Sequence, residues 1–155
     1  LHGHLRPIAG LELHEQLEPD NAGKSIAVMF ALGFKSRAPV PATSFADPAA
    51  RKKWAREKGL KTLPFWSPSR AGFPVDFLID EPFDFEAAFG RAHKLAVGET
   101  FAQVPSITDL ITLQRSAGQL DDVKALEALR NSPAALREAP PVEAVRDTYK
   151  PRSPG

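Results

Sequence analysis

The residues best placed for chemistry are two acids set between large apolar neighbours: Glu12 in Gly10-Leu11-Glu12-Leu13, and Asp76 in Val75-Asp76-Phe77-Leu78-Ile79. Side chains alternate along a strand, so each carboxylate points away from the face that its neighbours form. Carboxylate oxygens are the kind of ligand that a hard divalent cation such as Mg²⁺ takes. On the residues alone two readings stand: metal ligands, or ordinary polar residues on half-exposed strands.

The histidines add little to that set. His2 and His4 sit two apart and would share a face if extended, but a pair at a chain start is usually incidental. His14 and His93 have no spacing that converges with them. The chain has no cysteine, which excludes disulfides and thiolate metal sites and is compatible with a reducing cytoplasm. It carries no Gly-x-Ser-x-Gly elbow, no phosphate-binding P-loop and no Gly-x-Gly-x-x-Gly turn. Hydrolase and dinucleotide-binding readings therefore have no motif.

Charge is distributed unevenly. Seven Lys or Arg residues and one acid, Glu57, lie between Arg51 and Arg70, while five acids and no base lie between Asp76 and Glu86. These runs are either solvated faces of opposite sign or a basic flank for phosphates beside an acidic pocket. Arg51, Lys52 and Arg56 with Trp54 would track a nucleic-acid backbone if the indole were exposed. The commoner arrangement puts Trp54 in the core and the bases on the wet face.

The elements that must position these residues follow from local signals. Leu11 and Leu13 alternate with Glu12 and His14, predicting a strand over Gly10–Gln16. Pro19-Asp20-Asn21 opens a helix to about Leu32, with Asp20 or Asn21 as cap and Gly33 as stop. Asp47 and Pro48 begin a second helix that Gly59 ends. Lys61–Trp66 and Phe73–Ile79 read as strands joined by Ser67–Gly72. Phe83–Ala92 reads as helical, and Leu95–Val97 with Thr100–Val104 as a hairpin around Gly98-Glu99. Ser106-Ile107-Thr108-Asp109 is a capping box with Asp in place of Glu or Gln, opening a helix that stops at Gly118. A last helix carries Leu120, Val123, Leu126 and Leu129. From Ser132 to Gly155 the chain is rich in Pro and Ala and reads as a disordered tail. The 155 residues hold no apolar run of the ~20 residues a membrane helix needs. Interleaved strands and helices with an antiparallel hairpin predict an α+β domain.

Several strings in this order resemble bacterial nucleotidyltransferase-like proteins of the DNA polymerase β superfamily, which include toxin-like members linked to abortive infection. They are Leu1-His2-Gly3-His4-Leu5-Arg6, Gly10-Leu11-Glu12-Leu13, Val75–Ile79, Val104-Pro105-Ser106 through Asp109-Leu110-Ile111, and Arg115…Gly118…Asp122. They span residues 1 to about 131, which the resemblance makes one domain: a mixed sheet flanked by helices, with the N-terminal part of the fold lying before residue 1.

In such proteins two strand carboxylates and a third from a neighbouring strand hold Mg²⁺ or Mn²⁺, which bridges the phosphates of an NTP substrate. The resemblance puts the first two on Gly10 and Glu12 and the third on Asp76, making Glu12 and Asp76 the catalytic, metal-holding residues. Gly10 offers no ligand, and Glu12 is one methylene longer than aspartate. Gln114 and Gln119 stand where a lysine and an arginine are expected. The glycine-rich phosphate turn would precede residue 1. These departures imply a degenerate or truncated copy that, if active, moves a nucleotidyl group from an NTP to a hydroxyl acceptor. The alternatives are a non-catalytic nucleotide-, RNA- or protein-binding module, with an antitoxin-like partner, or a piece completed by another chain. The expected setting is the cytoplasm.

Overall fold

The computed structural model describes residues 10–70, 74–81 and 83–132. These group into two compact units divided in the chain between Phe85 and Glu86.

The first unit holds β1 (Leu11–Leu13), α1 (Pro19–Ala31), β2 (Lys35–Ser36), α2 (Pro48–Lys58), β3 (Thr62–Trp66) and β4 (Val75–Leu78). The sheet order is β1-β4-β3-β2. β1 runs parallel to β4, and the other pairs are antiparallel. The α+β expectation holds, and the sheet is mixed.

Local chemistry accounts for both helices. Asp47 caps α2 by accepting a 2.8 Å bond from the Ala49 N–H. Gly59 ends it at φ +62°, a backbone that residues with a Cβ avoid. α1 departs from expectation at its start. Proline fixes its own φ for helix and has no N–H to satisfy, so the helix begins at Pro19 itself. Glu18 takes the cap position without a side-chain bond, and Asn21 instead donates to the Gln16 carbonyl at 2.9 Å.

Ala22, Ile26 and Met29 of α1, Trp54 of α2 and Phe45 from a 3-10 turn at Ala42–Ala46 bury against Leu63, Phe65, Val75 and Phe77. Phe65 meets Phe77 edge-on, and Phe45 meets Phe77 the same way. Each such ring contributes on the order of 2 kcal/mol through burial. The helices thus cover one face of the sheet. The alternate positions (Thr62, Pro64, Trp66, Asp76 and Leu78) are only half-buried.

The second unit contains β5 (His93–Val97) paired with β6 (Thr100–Val104), then α4 (Ile107–Ser116) and α5 (Leu120–Arg130). α3 (Phe85–Gly90) spans the division and is shorter than the Phe83–Ala92 helix expected. Gly98 turns the hairpin at φ +60°, and Ser106 caps α4. The Pro/Ala-rich tail lies, beyond Ser132, outside the described residues, as do His2 and His4. Among the described residues no helix is long and apolar enough to cross a membrane.

Candidate carboxylate site

The parallel register of β1 and β4 sets Leu11 beside Val75, Glu12 beside Asp76 and Leu13 beside Phe77. Register partners on neighbouring strands project to the same face. The carboxylates of Glu12 and Asp76 therefore stand side by side, opposite the aromatic core. Asp76 is half-buried, and desolvation pushes its carboxyl pKa above the usual value; the negative charge of Glu12 adds to the rise.

His14, two residues beyond Glu12, joins the pair. Its Nε2 lies 3.1 Å from Glu12 Oε1, and its ring stacks on Phe83 with centroids 5.9 Å apart. The His14 side chain is 15% exposed against 47% for Glu12, so the histidine is the fixed member and the glutamate is steadied by it. Sequence reasoning passed over His14 as a site residue. The two-residue spacing from Glu12 was the signal that could have found it, because period two returns a side chain to the same face.

Gly10 is the remaining position of the expected set. The Leu11 N–H donates to the Pro74 carbonyl at 3.0 Å, which draws the Gly10 backbone against Pro74. A Cβ at Gly10 would fall 2.8 Å from Pro74 Cγ. The position is thus sterically closed as well as chemically blank.

A Mg²⁺ ion is commonly held by one or two carboxylates, with substrate phosphates and water completing its octahedron. Glu12 and Asp76 fit that mode. They do not fit a pair of metals caged by protein. Among the described residues no three His, Asp or Glu side chains converge to hold a metal.

A shallow pocket nearby is lined by His14, Glu15, Asp80, Glu81 and Phe83, among others. Burial pushes the Glu15 pKa up, while a hydrogen bond from the Ser25 hydroxyl and the charge of Arg51 pull it back. The five-acid run from Asp76 to Glu86 contributes Asp80 and Glu81 to this concavity. Glu81 accepts the Leu17 N–H at 3.3 Å.

The basic helix divides differently from its expected wet face. Arg51 is buried, donating to the carbonyls of Phe45 at 2.5 Å and Leu17 at 3.0 Å. It sits one helical turn before Trp54, on the face that the indole buries, as i,i+3 spacing requires. Lys52, Lys53, Arg56 and Lys58 remain exposed. In the second unit, Gln119 precedes α5 without a capping bond, and the Oε1 of Gln114 is buried with no partner.

Compared with protein-family models, curated protein sequences and solved structures, the chain matches none.

Proposed function

We propose that the chain is a degenerate nucleotidyltransferase-like protein that keeps a one-cation nucleotide site at Glu12 and Asp76. The observation that carries this reading is the parallel register that sets those two carboxylates side by side. Like charges placed together weaken a sheet unless something of opposite sign relieves them. A divalent cation with an NTP attached does so, and the resemblance of the flanking strings gives the same ligand.

Glu12 and Asp76 would hold Mg²⁺ or Mn²⁺, and His14 keeps Glu12 in place. The bound cation would neutralise phosphate charge on the nucleotide. Gly10 withholds one of the three carboxylates, so nucleotide binding outlasts transfer to a hydroxyl on RNA, protein or a small molecule.

Thermal unfolding with each of the four NTPs, in Mg²⁺, in Mn²⁺ and in EDTA, tests the reading. A ligand at 100 times its Kd adds about 2.7 kcal/mol to the native state. A metal-dependent rise with an NTP that disappears in Glu12→Ala and Asp76→Ala is the expected result. No shift from a cooperatively folding sample under any condition refutes it.

A further inference from the structure

The outer edge of the same sheet carries a cationic feature that the carboxylate pair does not use. β2 is the last strand in the sheet order, so one side of it is unpaired among the described residues. Lys35 is the register partner of Trp66, which puts both side chains on the face that also carries Asp76. Arg37 continues the ladder, donating its N–H to the Pro64 carbonyl at 2.9 Å, and lays its guanidinium 4.7 Å from the Trp66 ring centroid. Further along, Lys58 reaches from the end of α2 and donates to the Pro39 carbonyl at 3.2 Å.

Lys35 and Arg37 therefore lie one step of two strand residues apart, about 7 Å, and Lys58 adds a third cation at Pro39, just past them in the chain. Among the described residues none of the three is in an ion pair; the only acid on this stretch of α2, Glu57, pairs with Arg56. A step of that length lets neighbouring cations meet separate phosphates of an extended backbone. The Arg37–Trp66 stack supplies a planar surface for an unstacked base. A duplex hides its base faces, and an acidic peptide would use the cations but not the ring.

We propose that the β2 edge, with Lys35, Arg37, Lys58 and Trp66, binds single-stranded nucleic acid, its phosphates on the cations and a base against the Arg37–Trp66 stack. The interaction is independent of the carboxylate pair. Measuring it in EDTA without nucleotide keeps its failure distinct from failure of the one-cation reading.

The test is fluorescence anisotropy of labelled oligo(U) and oligo(dT) of about 12 nucleotides, within the usual span of single-strand sites. Three phosphate contacts predict a slope of about −2 for log K against log salt, at about −0.7 each. Lys35→Glu/Arg37→Glu is expected to lose about tenfold or more in affinity, whereas Lys52→Glu/Lys53→Glu, with the same change in charge, stays within about twofold. Tryptophan emission should fall on binding, and this quenching should vanish in Trp66→Phe. Equal loss in both double variants would reduce the effect to diffuse charge and overturn the proposal. Binding without quenching, or no binding at the lowest salt, overturns it as well. Retained oligo(U) binding with loss of oligo(dT) would identify RNA as the ligand.

Discussion

Pro74 occupies the space a side chain on Gly10 would need: a Cβ there would fall 2.8 Å from its Cγ and 3.1 Å from its carbonyl oxygen. A proline ring cannot swing aside as a long side chain can, so β1 would have to move away from β4. β1 is only Leu11–Leu13, with few ladder bonds to resist. Gly10→Ala is expected to destabilise by about 1–3 kcal/mol, the range for overpacking, measured by urea unfolding. Gly10→Asp supplies the missing carboxylate in name, yet is expected to lose the metal–nucleotide response rather than gain turnover. A stable Gly10→Asp protein with NTP-dependent activity would show that Pro74 does not close the site.

Asp76 carries the opposite trade between stability and binding. Its pKa is raised, so the contribution of this group to stability is fully present below the unfolded carboxylate value and is lost as pH rises through the folded one. At neutral pH the ionised side chain is a liability beside Glu12. Asp76→Asn keeps the shape and removes the charge. Without cation it is expected to melt about 1–4 °C above the parent, from relief of roughly 0.2–1 kcal/mol. With Mg²⁺ and NTP the order reverses, because the variant cannot respond. A melting point below the parent's in EDTA would mean that the charge is already compensated.

Much of this arrangement was legible because it is written locally. Asp47, Pro48 and Gly59 mark both ends of α2, Gly98 marks the hairpin, and Ser106 with Asp109 marks the start of α4. The cap of α1 was misread because Asp20 and Asn21 look like caps, while Pro19 begins the helix and moves the cap back to Glu18. Pairing of β1 with β4 is another matter. The two strands lie far apart in sequence, and three residues of β1 carry no pattern that names a partner or a direction. Glu12 and Asp76 were linked in advance only by resemblance. Nothing near Arg51 announces its burial, which depends on the distant Leu17 carbonyl.

Asp109 makes the second unit sensitive to acid. Arg91 bonds its carboxylate at 2.7 Å and 3.3 Å, the Ser106 hydroxyl donates at 2.6 Å, and the Asp109 N–H returns to Ser106 Oγ at 3.2 Å. The Arg91 hydrogen bonds hold the pKa below the ordinary aspartate value, against the opposing effect of burial. Stability from this group is therefore present above the unfolded pKa and lost as pH falls through the folded one. Asp109→Ala is expected to cost about 1–2 kcal/mol at neutral pH, the scale of a lost helix cap, and to flatten the acid limb below about pH 4. Acid titration followed by circular dichroism checks both; an unchanged acid limb in the variant would detach Asp109 from it.

Arg51 joins two parts of the first unit that no backbone ladder connects: the segment after β1, through Leu17, and the 3-10 turn, through Phe45. Its charge also holds down the pKa of Glu15, which burial raises. Arg51→Ala strands two carbonyls at about 1–3 kcal/mol each and leaves Glu15 with desolvation less opposed. Lysine cannot span both acceptors with one ammonium, so Arg51→Lys recovers only part of the loss. A raised carboxyl pKa means stability lost as pH rises through it, and removing Arg51 raises the Glu15 pKa further. The deficit of Arg51→Ala is therefore expected to widen from acidic to neutral pH, and Glu15→Gln in the same chain should narrow it again. Urea unfolding of the single and double variants at both pH values measures the coupling directly. A deficit independent of pH would make Arg51 a bridge between carbonyls and nothing more.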